Sequence, residues 1–535
     1  MLGARRYSSA MTRAWGSNGY WVALGLAACV LIAPLWVVHS PAMPDYPAHL
    51  ATFYLIAGAA KTPPLASFYA VHWALIPNLG AELTVPLLAK LMPLETATKL
   101  FLSAAVAMWV LGPGAIQRAL YGKIGLAPLF GAFFAYNANY TWGFFNYYFA
   151  AGLSFLLFAA WIGSAQKRGP VALAGFALGV SALYLCHLVG LFLLAVMIVC
   201  FEAARIWEAR DYAIKALVRR ALPVALVFLP AAIAFLFFKP ASGVGGKFAF
   251  DFIDTFGDRF EAPLKLYFDD PAYLLMAAIA ILLLGGFLFD RFRVHRNMKI
   301  FIIVFAVIML AAPEWALGGW GVHLRFPAVL GAMLFGSAEL RLGPRASAVA
   351  AAVVLLLTGI SAAILADNWQ GHDRQYSEFR AALSGIPAAS RMMTVLDGDS
   401  LSDELDPTPD QPYWHMAEFT IVDRGALTSL MFATKGQHVV EVKPPYDRWV
   451  AVTAEQGSPP DVSELADLAA GLDDNDPDIE TVFPYLRFFP CHYDEVVLVR
   501  GKGEASDVPD FLTLRHAGSF FSIYDIHPTK ACAKR

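Results

Sequence analysis

The chain has 535 residues, 58% of them apolar and only 16% charged, with a formal net charge of −3 and a mean hydropathy of +0.53. Soluble domains run at roughly 45–50% apolar and about 25% charged, so an ordinary cytosolic enzyme is excluded. The small net charge conceals a division: residues 1–366 carry 26 basic and 15 acidic side chains, whereas 367–535 carry 14 and 28.

That asymmetry coincides with a fall in hydropathy and describes two bodies, one in a membrane and one in water. Nucleic-acid binding is excluded, because the basic residues lie in short juxtamembrane clusters and the free body is acidic. A membrane-crossing helix needs about 20 mostly apolar residues. Eleven segments are candidates: 20–39, 96–117, 124–138, 144–164, 170–185, 187–205, 221–238, 272–289, 299–312, 324–339 and 346–366. The first is followed by His-Ser-Pro in place of a small-x-small cleavage site and reads as a retained helix. Turns at 137–143, 186–187 and 313–323 make three tight pairs. Some members have only 13–16 residues, which leaves open a reading with fewer full spans and some re-entrant segments.

Orientation follows the Lys/Arg bias of the short loops. Arg5, Arg6, Arg13, Arg118, Lys123, Lys167, Arg168, the clusters at 205–220 and 291–299, Arg341 and Arg345 fall on one side. That side is cytoplasmic in this reading. The protein is then a multi-pass inner (plasma) membrane protein with a cytoplasmic amino terminus and its C-terminal domain in the periplasm. The expected fold class is an α-helical polytopic membrane domain over 1–366, with outer loops 40–94 and 240–271, followed by a soluble α/β domain over 367–535.

In the tail, 373–384 has helical spacing and β-rich runs follow at 391–396, 426–432, 438–442, 495–500 and 520–526. The Asp- and Pro-rich stretch 458–480 reads as a solvated loop and helix. Cys491 and Cys532 flank the last strands. An outer compartment would allow them to pair, the alternative being two unpaired thiols.

Polar residues at membrane depth are costly and therefore informative. Asp45 and His49 follow the first span. Asn137, Asn139, Tyr140, Trp142, Asn146 and Tyr147 occupy the turn between the third and fourth. His187 marks the next turn, and Glu314, Trp315, Trp320, His323 and Arg325 lie between the ninth and tenth. All fall at the outer surface, where they suit a substrate with an anionic, lipid-borne head group. Arg325 offers a bidentate fork for phosphate oxygens. Asp45 is a candidate general base or metal ligand, and His49 lies one helical turn later. Structural alternatives stand beside each: Asp45 as an N-cap before Tyr-Pro, His49 as an interfacial polar residue, His187 as a helix-end partner, and Trp142 and Trp320 as aromatic-belt anchors.

The loop 240–271 begins Ser242-Gly243-Val244-Gly245-Gly246-Lys247 but lacks a Gly-Lys-Ser/Thr ending and a preceding strand, which excludes nucleotide hydrolysis. It reads as a flexible outer loop that orders on substrate binding. Zinc signatures, a nucleophile elbow and a CxxC pair are missing from the sequence.

Taken together, Pro44-Asp45-Tyr46-Pro47-Ala48-His49-Leu50, the helical stretches about 46–60 and 82–92, the aromatic-Asn turn 136–148 and Leu324-Arg325-Phe326 resemble the GT-C-type polytopic membrane glycosyltransferases. The resemblance covers roughly 1–366. It implies transfer of a sugar from a polyprenyl-phosphate donor to a glycan or lipid acceptor. Asp45 would be the catalytic base or help hold a divalent metal ion, and Arg325 or Lys247 would contact the carrier phosphate. His49, Asn146, His187, His323, Trp142 and Trp320 complete the expected substrate surface. The next acidic residue after Asp45 is Glu82 rather than an immediate neighbour, which leaves metal dependence open.

The competing reading is a non-catalytic membrane component of a polysaccharide or lipid export complex. What separates the two is whether Asp45, His49, His323 and Arg325 face a common cavity. A transporter is disfavoured, since ionisable residues at mid-bilayer on several spans and repeated broken helices are lacking.

Overall fold

The computed structural model describes residues 17–165, 168–237, 249–250, 252–253, 255–264, 290–316, 319–398, 412–434, 436–453, 456–471, 482–501 and 508–534. Lys247 and most of the expected outer loop 240–271, the expected span 272–289, the basic residues Arg5, Arg6, Arg13 and Lys167, and 472–480 lie outside the described residues. The main helices in chain order are α1 (Ser17–Val37), α2 (Tyr46–Ile56), α3 (Gly80–Leu88), α4 (Leu94–Tyr121), α5 (Phe145–Gly163), α6 (Pro170–Cys186), α7 (Leu188–Ala209), α8 (Ile214–Phe237), α9 (Lys299–Ala311), α10 (Pro327–Gly336) and α11 (Pro344–Ala382).

Among the described residues, α1, α4, α5, α7, α8 and α11 are long and apolar enough to cross a bilayer, and α6 is a shorter apolar helix. Of the eleven expected spans, the described residues therefore show six as full-length helices and one, α6, as a shorter helix. Segment 124–138 forms only Ala127–Gly131 and a 3-10 turn, Ala132–Ala135. Together they rise roughly 14 Å, half of an apolar bilayer core of about 30 Å. α10 has only 10 residues and packs against this piece. Phe130 stacks on Phe335 at 5.6 Å, and the Phe134 ring fills the space a Cβ on Gly331 would need. Every residue from 126 to 143 is buried, the setting in which a membrane protein tolerates interrupted helix. Composition alone cannot separate such a buried half-length piece from a lipid-crossing run.

α11 has 39 residues and rises roughly 58 Å, far more than one span requires. The expected boundary at 366/367 therefore falls inside a continuous helix, and the helix expected over 373–384 is its continuation. Buried Trp369, Tyr376 and Phe379 carry its apolar stripe beyond the membrane length. Asp373 accepts the backbone N–H groups of His39 and Ser40 at 2.7 and 2.8 Å, which ties the chain leaving α1 to this extension.

The strands are β1 (Tyr69–Val71), β2 (Phe292–Val294), β3 (Ala338–Leu340), β4 (Arg391–Leu396), β5 (Leu427–Thr428), β6 (Val440–Val442), β7 (Glu495–Val499), β8 (Leu512–Ala517) and β9 (Phe521–Ile526). Five of them form a mixed sheet in the order β5-β4-β7-β9-β8, parallel across β5-β4-β7 and antiparallel across β7-β9-β8. Alternation along β4 and β7 sends Met393, Val395, Val496 and Leu498 towards Leu465, Leu468 and Phe489. Met392, Val497 and Val499 face the α11 side with Phe379 and Leu383. β8 lacks an alternating apolar pattern because it is an edge strand, exposed beyond Leu512. Cys491 and Cys532 are joined in a disulfide, with Cα atoms 5.4 Å apart.

The loop 40–94 and the C-terminal body interlock. β1 pairs antiparallel with β6, Tyr69 opposite Val442 and Val71 opposite Val440. Leu55, Phe68 and Tyr69 share a core with Ile421, Leu427 and Met431. This seam brings tail residues against the start of α2.

Candidate functional site

The aromatic-Asn turn is built by local capping. The Asn137 side chain accepts the Asn139 N–H at 3.0 Å and caps the turn Ala138–Trp142. Gly143 follows with φ +95°, a conformation that suits glycine. A Cβ there would lie 3.1 Å from the Asp45 Cβ and 3.3 Å from the Met43 Cβ. The absent side chain lets the two segments touch, and the Asp45 N–H donates to the Trp142 carbonyl at 3.1 Å.

Asp45 occupies the N-cap position of α2, yet its side chain makes no capping hydrogen bond. Its Oδ1 instead lies 3.9 Å from His415 Nε2, and the side chain keeps 16% exposure. Burial raises the Asp45 pKa well above the ordinary carboxylate value. A carboxylate in this setting is a stronger base than one in water.

Behind Asp45 lies a cluster that sequence reasoning missed. His49 stacks on Phe145 at 4.4 Å and meets Phe432 edge-on at 5.2 Å. Phe432 in turn packs on His415 at 4.9 Å and on His438 at 5.4 Å. Glu418 Oε2 lies 3.7 Å from His415 Nδ1. Burial, reinforced by His438 and His415, lowers the His49 pKa to about 3. Burial also lowers His415 and His438 to about 4 and raises Glu418 to about 8. At neutral pH the three imidazoles are uncharged and most of Glu418 is protonated. The one local signal was Trp414-His415-Met416-Ala417-Glu418, an imidazole and a carboxyl three residues apart inside an apolar run.

Beside the same turn is a cavity of about 210 Å³, lined by Ala138, Trp142, Asp258, Glu261, Ala262, Trp320 and Leu324. The Trp142 ring meets Trp320 at 4.8 Å and Trp414 at 5.6 Å, both edge to face. Trp320 is oriented by its Nε1 donating to Glu314 at 2.8 Å. His323, buried, lies 3.3 Å from Asp258 through Nε2. Indole faces with carboxylate acceptors make a surface suited to a polyhydroxylated ring.

The Arg325 Nη2 donates to the Trp320 carbonyl at 3.2 Å. Its guanidinium lies 5.5 Å from the Phe144 ring centre and 5.6 Å from that of Tyr147. The Tyr147 hydroxyl donates to the Arg325 carbonyl. Among the described residues no carboxylate pairs with this guanidinium. A guanidinium held between aromatic faces suits an incoming anion.

Two expected substrate residues make hydrogen bonds within the scaffold. The Asn146 side chain accepts the Ala81 N–H at 2.7 Å and donates to Glu82 at 2.8 Å and to the Asn78 carbonyl at 3.1 Å, pinning α3. Burial raises Glu82 to about 7. His187 Nδ1 accepts the Val189 N–H at 3.1 Å and caps α7. Trp142 and Trp320 thus line the cavity and His323 reaches its wall. Asp45 and Arg325 adjoin it only through the Trp142 and Trp320 backbones and His49 packs on Phe145 and Phe432, so Asp45, His49, His323 and Arg325 do not line one common cavity among the described residues. Among the described residues no group of three or more His, Cys, Asp or Glu is placed to hold a metal ion.

Among solved structures, the crystal structure of ArnT from Cupriavidus metallidurans bound to undecaprenyl phosphate matches with a TM-score of 0.51 and 12% identity, over 95% of this chain and 98% of that one. The chain has an ArnT-like fold. The apo crystal structure of the same protein gives a TM-score of 0.49 at 11% identity over the same shares. No family model matches, and no curated protein matches. At this identity the likeness to ArnT is one of fold. The architecture is a polytopic helical membrane protein with a C-terminal mixed sheet; the GT-C resemblance implied its membrane part, and the β-rich runs of the tail implied the sheet.

Proposed function

We propose that this protein is a membrane glycosyltransferase that moves a sugar from a polyprenyl-phosphate carrier to a cell-surface glycan or lipid acceptor at the outer face of the inner membrane. The observation that carries this reading is Asp45, an uncapped carboxyl with a raised pKa, joined through Trp142 to an aromatic and acidic cavity within an ArnT-like fold. The ArnT structure in question holds undecaprenyl phosphate, and a carrier of that class suits a site at the end of membrane spans. The Lys/Arg bias of the loops supports the orientation, with the cavity facing outward.

Trp142 and Trp320 offer faces to the sugar ring, and Asp258 and Glu261 accept from its hydroxyls. Asp45 takes the proton of the acceptor hydroxyl as that oxygen bonds to the anomeric carbon. The bond from the anomeric carbon to the phosphate oxygen breaks and its electron pair leaves with the phosphate. Arg325 meets the charge that develops there.

Mass spectrometry of polyprenyl-phosphate sugars and surface glycans from a deletion strain tests this. One carrier-linked sugar should accumulate, and the wild-type gene should clear it while Asp45→Asn does not. An unchanged pool with unchanged glycans would show that the protein is not a transferase of this kind.

A further inference from the structure

At the ends of the helices remote from the cavity, three guanidinium groups gather around one carboxylate. α5 and α7 both start beside the site and have 19 and 22 residues, which carries them roughly 28–33 Å, one bilayer core away. There the Glu202 side chain, only 7% exposed, meets Arg168 at 3.0 Å, Arg205 at 3.0 Å and Arg220 at 3.6 Å. Arg205 lies on α7, Arg220 on α8, and Arg168 in the link after α5. Trp161 Nε1 donates to the same carboxylate at 3.0 Å, and the Arg168 guanidinium lies 3.6 Å above the Trp161 ring centre.

Among the described residues, one carboxylate meets three guanidinium groups, an excess of two positive charges. The next acidic residue on α7, Glu208, is engaged by Arg296 at 2.8 Å. Arg205 and Arg220 keep 24% and 22% exposure, so some of their N–H donors remain open to an external acceptor. The surroundings are apolar and exposed: Val218 and Leu222, flanking Arg220, are 53% and 52% exposed. Trp207 and Tyr212, at 70% and 56% exposure, mark the head-group level.

We propose that Arg168, Arg205 and Arg220 form a binding site for the phosphate of an anionic lipid in the leaflet opposite the cavity. Guanidinium forks match phosphate oxygens, and basic pockets between transmembrane helices recognise such head groups. Free phosphate shares this chemistry, but it cannot use the apolar flank at Val218 and Leu222. The inference does not depend on the transferase reading.

The test uses the full-length protein in detergent, titrated with phosphatidylglycerol, phosphatidylcholine or inorganic phosphate, with retained lipid read by native mass spectrometry and melting followed in parallel. Phosphatidylglycerol should be retained and raise the melting temperature, and phosphatidylcholine should do neither. Arg220→Gln and Arg205→Gln should each weaken retention about tenfold, as expected for loss of one charge-assisted phosphate contact. Arg220→Lys keeps the charge without the fork and guards against misfolding; it should fall between Gln and wild type. Glu202→Gln should tighten retention, because it removes the internal competitor, even while it loosens the helix ends. Displacement by inorganic phosphate alone, regardless of acyl chains, would keep the phosphate site and overturn its lipid source. No retention by the wild type, or equal retention by wild type, Arg220→Gln and Glu202→Gln, would reduce the cluster to a helix clamp and overturn the proposal.

Discussion

The Asp45 backbone N–H and the Trp142 carbonyl are hydrogen-bonded at 3.1 Å, which makes the proposed base and the aromatic wall of the cavity parts of one unit. Neither residue can shift without moving the other. Gly143 is what permits the contact, since its φ of +95° and its missing Cβ both face Asp45.

Gly143→Ala should therefore damage the site before the rest of the fold. A Cβ 3.1 Å from the Asp45 Cβ, in a left-handed conformation, costs about 1–3 kcal/mol. Thermal unfolding should show a modest loss, and sugar transfer in membranes should fall by a larger factor than protein level.

The acid limb of kcat/KM should lie above the ordinary Asp value of 3.8. Burial raises the Asp45 pKa, so the base form exists only above that raised value and activity declines as pH falls through it. A rate-pH profile of reconstituted protein checks this; a limb near 3.8 would show that Asp45 is not the titrating base.

Stability at the seam between α2 and the C-terminal body should fall on both sides of about pH 6.5. His49, His415 and His438 are depressed from 6.5 to about 3, 4 and 4, so their contribution is full above 6.5 and is lost as pH falls through those lower values. Glu418 is raised from 4.5 to about 8, so its contribution is full below 4.5 and is lost as pH rises through 8. Below 6.5 three imidazoles outweigh the carboxyls. Melting followed between pH 4.5 and 8.5 should show the maximum, and His438→Phe should flatten the acid side.

Arg325→Lys should raise KM for the lipid-linked donor about tenfold or more and lower kcat less, because a lysine keeps the charge but loses the fork and its stacking. Donor titration in proteoliposomes separates the two constants.

Removing the Cys491–Cys532 bridge, which closes a separation of 41 residues, should cost the C-terminal body about 2–4 kcal/mol. Limited proteolysis of Cys532→Ser should then cleave near the last strands sooner than in wild type.

Much of the frame could be read from the residues. Apolar runs located the long helices, and β-rich runs located β4, β7 and β9. Trp142 and Trp320 were grouped from their loops, and the structure sets their rings 4.8 Å apart. What escaped depended on long-range pairing. His415, Glu418 and His438 reach Asp45 and His49 because β1 joins β6 across some 370 residues, and no local periodicity encodes that partnership. The pieces Ala127–Ala135 and Pro327–Gly336 read as spans because burial in protein and burial in lipid select the same side chains. Arg168, Arg205 and Arg220 counted only as orientation signals, since nothing in their spacing announces a shared carboxylate.

The most direct measurement is sugar transfer by purified full-length protein, reconstituted with a polyprenyl-phosphate-linked sugar and an acceptor, comparing wild type with Asp45→Asn. Loss of general-base catalysis should lower turnover by about 10²–10⁴-fold, with the variant's melting temperature and oligomeric profile close to wild type. Equal turnover by a folded Asp45→Asn would contradict the assignment of Asp45 as the base.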